Sequence, residues 1–187
     1  MKKLFTLGVT LVAALSLAAC GNSSGSKDSS SSKNTSSKKV SKSSSSKKTT
    51  TDTWVGNSYA TKDYKIDVTQ VKTIPVGEKG NEYGEKPVLA FWYKFTNITD
   101  KEKSAQNAWI MNFEAIQDND KNKVNKLEVG MLPDDRFLDS QMEDTKKGGT
   151  VEMAIAYDLT DETTPVKIEA KNPITDKVTA TKTFNLQ

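Results

Sequence analysis

The stretch PVLAFWYKFTN, residues 87–97, carries large apolar side chains on both faces of an extended chain. Successive side chains of a β-strand point to opposite faces, so alternate residues share a face. One face carries Leu89, Phe91, Tyr93 and Phe95, and the opposite face carries Val88, Ala90 and Trp92. A strand that is apolar on both faces is typical of a sheet interior with further structure packed on each side. The stretch therefore predicts a central strand.

Segments on either side of this stretch show the two-residue period of half-buried strands. The most regular is TVEMAIAYDL, residues 150–159, in which alternate apolar residues from Val151 to Leu159 share one face. The remaining predicted strands are YKIDV (64–68), NAWIMNFEAIQ (107–117, with Trp109, Met111, Phe113 and Ala115 aligned), PVKIEA (165–170) and VTATKTFNL (178–186). Val71 and Ile74 fall out of phase with the first of these, which predicts a bulge or a strand end near Thr69 and Gln70.

Residues that favour turns separate these strands. Asp118–Asn122 is rich in Asp and Asn, which predicts a hairpin turn. The segment from Pro133 to Lys147 is acidic and weakly apolar, and it is compatible with a short helix or with a loop crossing one end of the sheets. Six or seven short strands without a strong helix predict an all-β fold. For residues 54–187 we expect an antiparallel immunoglobulin-like β-sandwich.

The N-terminus has the features of a secretory leader. Lys2 and Lys3 precede an uncharged apolar run that is too short to span a membrane comfortably. The run ends in Leu17, Ala18, Ala19 and Cys20, which resembles the lipobox of bacterial lipoproteins. The resemblance implies that residues 1–19 are cleaved and that the Cys20 thiol receives a diacylglycerol. An ordinary signal peptide with an incidental cysteine is the alternative. Cys20 is the sole cysteine, so once it is lipidated none is left to form a disulfide.

A polar segment follows this cysteine. Residues 21–53 hold fourteen serines and seven lysines against two acidic residues, and they contain one aliphatic side chain, Val40. Such a composition cannot bury enough apolar surface to fold, so residues 20–53 are predicted to be a lipidated cysteine and a disordered linker. Residues 54–187 hold eighteen basic and twenty-two acidic side chains. The predicted domain is therefore mildly acidic, which argues against nucleic acid as a partner.

Several of these segments together resemble a known group of proteins. YKIDVTQVK, PVLAFWYKFTNITDK, KKGGTVEMAIAYDL and PVKIEA, following a lipobox and a Ser/Lys-rich tether, are similar to surface lipoproteins of Gram-positive bacteria. Those proteins carry an immunoglobulin-like domain of unknown function. The resemblance implies the sandwich fold and attachment to the outer face of the cell membrane, and it supplies no catalytic residues.

Enzymatic chemistry has little support in the sequence. The chain has no histidine, which removes the commonest general base and most zinc sites. No phosphate-binding glycine motif is present, and no cofactor is predicted. A carboxylate pair could still catalyse glycoside hydrolysis. Glu82 with Glu85, or Asp134 with Asp135, are conceivable pairs, but neither lies in a recognisable motif. We therefore expect the domain not to be an enzyme.

Two further motifs have both a functional and a structural interpretation. Asp118, Asp120 and Asn122 have the spacing that opens a calcium-binding loop, but Lys123 and Val129 replace the glycine and glutamate that such a loop requires. These three residues are a weak metal candidate, and a polar turn is favoured. The spacing of Asn97-Ile98-Thr99 is that of a glycosylation site, and here the end of a strand is favoured.

The second face of the predicted central strand offers a candidate binding surface. Trp92 could line a groove there for a glycan or peptide, whereas burial in the core is the usual state of tryptophan. The leading hypothesis is a membrane-anchored, non-catalytic domain that binds a wall polymer, an envelope protein or a host protein. The alternative is a structural or protective surface module without a defined ligand. An exposed aromatic or apolar patch would favour the first hypothesis.

Overall fold

The computed structural model describes residues 52–187, so the predicted leader, the lipobox, Cys20 and most of the tether lie outside the described residues. The strands are β1 (Thr53–Val55), β2 (Ser58–Ala60), β3 (Tyr64–Ile74), β4 (Val88–Asn97), β5 (Lys103–Ser104), β6 (Phe113–Gln117), β7 (Asp144–Thr145), β8 (Thr150–Asp158), β9 (Val166–Lys171) and β10 (Val178–Phe184). One α-helix, α1 (Ala105–Asn112), and one 3₁₀ turn (Asp135–Phe137) complete the described elements. α1 is too short to cross a bilayer, and nothing else helical in residues 52–187 has the length or apolarity to do so.

The strands form antiparallel sheets, which confirms the all-β, sandwich-like prediction. One sheet has five strands in the order β1-β2-β3-β4-β8, and another has three in the order β10-β9-β6. β5 and β7 form a small separate pair. β4 lies between β3 and β8 and pairs with each along most of its length, as its apolar faces predicted.

A shared core joins the two larger sheets. Phe91 of β4 packs edge-on against Phe184 of β10, with 5.1 Å between ring centroids. Ile168 of β9 and Phe95 of β4 are fully buried in the same cluster. Each buried side chain of this size stabilises the fold by about 1.5–3 kcal/mol, so this apolar layer is what holds the sheets together.

A bulge in β3 decides which side chains reach the outer face of the five-stranded sheet. Val68 pairs with Tyr93, but Gln70 pairs with Trp92, so Thr69 is the extra residue. The predicted bulge near Thr69 and Gln70 is confirmed. Because a one-residue shift reverses the faces of the residues that follow, Gln70, Lys72 and Ile74 point outward beside Trp92.

The prediction of one strand over residues 107–117 is wrong in its first half. Residues 105–112 form α1, and the strand β6 begins only at Phe113. Ser104 caps the helix by accepting a hydrogen bond from the backbone N–H of Asn107 at 3.4 Å. Trp109 is still fully buried and donates its indole N–H to the Tyr157 hydroxyl at 2.8 Å, whereas Met111 is 63% exposed. Trp109 and Phe113 are four residues apart, a spacing that suits a helix and a strand equally, so the alignment could not distinguish them.

The loops agree in part with the prediction. Gln117 N–H donates to the Asn125 carbonyl and Leu127 N–H to the Ala115 carbonyl, so the chain reverses around Asp118–Asn122 as predicted. The segment after Pro133 includes the short 3₁₀ helix. Its first residues lie against the outer face of β4, where Asp134 contacts Trp92. Its later residues lie beside β5, where Ser104 donates to the Gln141 carbonyl and Asp144–Thr145 forms β7.

Candidate binding groove on the outer sheet face

The outer face of the five-stranded sheet carries small side chains where a loop passes over it. Ala90, Ala154 and Ala156 point to this face and are almost fully buried. The covering segment starts at the edge of β8, where Gly130 N–H donates to the Ala156 carbonyl at 2.9 Å, and it reaches the outer face at Asp134, which contacts Trp92. Small residues on the strands thus let residues 130–136 pack onto the sheet, and this segment becomes one wall of a groove beside Trp92.

Trp92 connects the sheet to this wall. Its indole N–H donates to Asp134 Oδ2 at 2.8 Å. Arg136 donates to the same carboxylate from Nε (2.9 Å to Oδ1) and from Nη2 (2.6 Å to Oδ2). Asp134 also caps the 3₁₀ turn by accepting the backbone N–H of Arg136 at 3.2 Å. The carboxylate therefore fixes the orientation of both the indole and the turn.

The Asp134 carboxylate is ionised over a wide range of pH. Hydrogen bonds from Arg136, reinforced by that from Trp92, lower the pKa of Asp134 to about 2 against the partial burial that opposes ionisation. Asp134 raises the pKa of Arg136 in return. The Asp134 side chain is 14% exposed and that of Arg136 is 71% exposed, so the ion pair has a buried anionic end and a solvated cationic end. Asp134 stays ionised at any physiological pH, which suits an anchor and does not suit a general acid.

Two hollows lie side by side around Trp92. One encloses about 370 Å³ between β3 and the 133–136 segment, and the other about 320 Å³ towards β8. They share Gln70, Trp92 and Arg136 as lining residues, and Lys72 and Lys79 line the larger one. We call these two hollows together the outer groove. Trp92 is half-buried at its centre, and the lysines, Gln70 and Arg136 are exposed.

Of the residues singled out in the sequence, Trp92 lies in this groove and the metal candidate does not. Asp120 Oδ1 accepts the backbone N–H of Asn122 at 2.7 Å, as in an ordinary Asx turn, within the hairpin loop after β6. Within residues 52–187, no three His, Cys, Asp or Glu side chains are grouped so that they could hold a metal ion.

The conceivable carboxylate pairs are split between different roles. Asp134 is held in its ion pair, while its neighbour Asp135 is exposed at the rim of the larger hollow. Glu82 accepts the backbone N–H of Gly80 at 2.8 Å and closes a local turn. Glu85 is exposed and lines a different hollow with Tyr83 and Lys86.

Asn97 is a structural residue. It is 0% exposed, and its amide donates to the carbonyls of Lys101 and Thr145 at 2.8 Å each. Its side-chain oxygen accepts from Thr99 N–H at 3.0 Å. Both N–H groups of the amide are thus used in hydrogen bonds inside the fold. The sequence Asn97-Ile98-Thr99 is therefore the end of strand β4, which is the interpretation that the sequence favoured.

Sequence reasoning missed the cationic residues of the outer groove. Lys72 and Gln70 face Trp92 only because of the bulge, and Arg136 reaches it only through the covering segment. The predicted bulge was the one available signal, since it moves residues 70–74 to the face that carries Trp92.

Comparison with known proteins shows the family and the fold. No curated protein matches the chain. A solved structure described as "a putative lipoprotein from Staphylococcus aureus subsp. aureus NCTC 8325" is similar, with a TM-score of 0.59 and 23% sequence identity over 70% of this chain and 89% of that chain. At this identity the likeness concerns the fold. A family model matches residues 36–172, well over half of the sequence. The chain thus belongs to the DUF5067 family, a domain of unknown function.

Proposed function

We propose that this protein is a lipid-anchored surface protein whose immunoglobulin-like domain binds an extracellular partner in the outer groove without catalysing a reaction. The observation that carries the proposal is the arrangement around Trp92, where a half-buried aromatic ring lies between exposed polar and cationic side chains. Amphipathic aromatic rings surrounded by a few polar groups are common at recognition sites.

The anchor is supported by the N-terminal sequence. Leu17-Ala18-Ala19-Cys20 follows an apolar leader and precedes a Ser/Lys-rich tether. The similar Staphylococcus aureus structure is itself described as that of a putative lipoprotein, which agrees with this interpretation and with a Gram-positive surface location. A diacylated cysteine would give stable attachment where one chain would give only reversible binding. The tether would then hold the domain away from the membrane.

A non-catalytic role is supported by the chemistry of the groove. Its one partly buried carboxylate, Asp134, is ionised at neutral pH, and its charge is balanced by the ion pair with Arg136. General acid catalysis by a carboxyl group requires the opposite change, a raised pKa. The other charged residues that line the groove are all exposed, and they are Lys72, Lys79, Lys94, Asp135 and Glu152.

The test is site-specific photo-crosslinking in the producing cells. A benzophenone side chain at Gln70 would lie in both hollows, whereas the same group at Thr181 would lie on β10, outside the groove. We expect discrete adducts from position 70 and none from position 181. The absence of adducts at position 70, in a chain shown to be folded and exported, would contradict the binding role and favour a structural module. Equal adducts at both positions would show that binding is not confined to the outer groove.

A further inference from the structure

We propose that the ligand of the outer groove is a polymer of phosphodiester-linked polyol or sugar units. This inference rests on the proposed binding role of the groove and names the chemistry that the groove would recognise. It follows from the sign of the charges, from the kind of cation that carries them and from the position of the Trp92 ring.

The larger hollow of the groove differs in charge from the domain around it, whereas in the smaller hollow Lys94 is paired with Glu152 at 3.4 Å. Lys72 and Lys79 line the larger hollow, both are exposed, and neither has an ion-pair partner among residues 52–187. Asp134 is already paired with Arg136, so Asp135 is the one acidic residue in that hollow without such a partner. The hollow is therefore locally cationic on a domain with an excess of acidic side chains, which favours an anionic ligand.

The kind of cation favours phosphate over carboxylate. The forked guanidinium of Arg136, which would suit a planar carboxylate, is occupied by Asp134 through both Nε and Nη2. The free cations are lysines, which bind phosphate as compact point charges without a directional fork. A phosphodiester oxygen can meet such a charge in many orientations, as a flexible ligand in an open groove requires.

The Trp92 ring adds a surface for the uncharged part of the ligand. Gln70 is directly opposite Trp92 across the strands, and Lys72 is a diagonal neighbour on the same face, roughly 7–8 Å away. Because the indole N–H is committed to Asp134, its aromatic face rather than its polar edge is what remains for a ligand. A polyol or sugar unit could pack its C–H groups on this face while its phosphate contacts Lys72.

A polymer fits better than a single phosphate compound. Exposed lysines each contribute little, on the order of a few-fold in affinity, so one phosphate group would bind weakly. Two hollows on either side of Trp92 allow consecutive units of one chain to bind together, which multiplies weak contacts.

The experiment measures the binding of synthetic poly(glycerol phosphate) to residues 20–187 carrying Cys20→Ser. The seven lysines of residues 21–53 also attract polyanions, so the comparison is made between variants that share this segment and have equal charge. The test variant is Lys72→Gln with Lys79→Gln. The matched control is Lys121→Gln with Lys123→Gln, two exposed lysines in the hairpin loop after β6. Urea unfolding of each variant confirms that it is folded.

We expect Kd to rise about tenfold or more in the Lys72/Lys79 variant and about twofold or less in the control, with the difference reduced at high salt. A change in tryptophan fluorescence on binding should be absent in Trp92→Phe. Equal losses in both double variants would overturn the proposal, because they would mean non-specific attraction. A lack of binding to the polymer would also overturn it, and so would binding only to phosphatidylglycerol vesicles, which are tested in parallel. If the protein fails to bind the polymer or binds only these vesicles, but Gln70 still gives crosslinks, the binding role stands and only the ligand class is refuted.

Discussion

The ion pair beside Trp92 makes a sharp prediction, because two adjacent aspartates differ completely in their surroundings. Asp134→Ala removes the acceptor of the Trp92 indole N–H, the partner of Arg136 and the cap of the 3₁₀ turn. Asp135→Ala makes the same change of charge one residue later, on an exposed side chain. We expect the first variant to lose stability and the second to change little.

The expected magnitude follows from the three lost interactions. A half-buried N–H left without a partner costs about 1 kcal/mol, and a lost cap about 0.5–1 kcal/mol. The ion pair adds little to this, since the Arg136 end is exposed and screened by solvent. The free energy of unfolding should therefore fall by roughly 2 kcal/mol, or about 8 °C in Tm for a domain of this size. For Asp135→Ala we expect less than about 0.5 kcal/mol.

The assay is urea unfolding followed by circular dichroism at several pH values. The pKa of Asp134 is lowered from 3.8 to about 2 in the folded protein, so its charge stabilises the fold above pH 4. This stabilisation is lost as the pH falls from about 4 towards 2, and the difference between wild type and Asp134→Ala should shrink over that range. Equal stabilities of the two alanine variants at pH 7 would refute the view that Asp134 anchors the covering segment. A difference that does not depend on pH would refute the role of its charge.

The remaining predictions concern the buried polar network, the groove wall and the anchor. Gln117 is 0% exposed and forms hydrogen bonds through both its amide nitrogen and its oxygen. Gln117→Leu should therefore lower the free energy of unfolding, measured by urea titration, by about 3 kcal/mol. A loss below about 1 kcal/mol would contradict this prediction. Gly80→Ala should destabilise by more than about 2 kcal/mol, because φ is +92° and a Cβ would lie 2.4 Å from the Pro133 carbonyl oxygen. Gly77→Ala, with φ of +84° and open space, should cost about 1 kcal/mol, and equal thermal shifts for the two glycine variants would exclude the contact with Pro133. Cys20→Ala should abolish incorporation of an alkyne-labelled fatty acid and release the protein into the medium; retained label would refute lipidation at this residue.

The sequence predicted the fold best where the two-residue period is unbroken. Val151 to Leu159 and Leu89 to Phe95 alternate without interruption, and both segments are strands of the five-stranded sheet. Helix α1 was missed because two of its three buried residues are alanines, while Ile110 and Met111 are apolar but exposed, so its hydrophobicity shows no clear helical period. Its one local signal is Ser104, which caps the helix but which a turn would accommodate as readily.

The candidate site could be predicted only in part, for a different reason. Trp92 was found because the face of a residue follows from its position along one strand. Arg136 and Lys79 belong to segments distant in sequence, and their approach to Trp92 depends on how loops pack, which no local pattern specifies. The sequence could thus identify the aromatic floor of the groove but not its charged rim.

The position of Trp92 also explains why a binding surface and a stable fold can share one residue. Its indole N–H holds the covering segment through Asp134, and this contact completes the packing over the small outer-face residues Ala90 and Ala156. The same bond turns the ring so that one part is buried and another lines the groove. A substitution that keeps an aromatic side chain but loses the N–H, such as Trp92→Phe, therefore affects the wall and the floor together. The exposed lysines carry no such structural role, so replacing them separates binding from folding where replacing Trp92 does not.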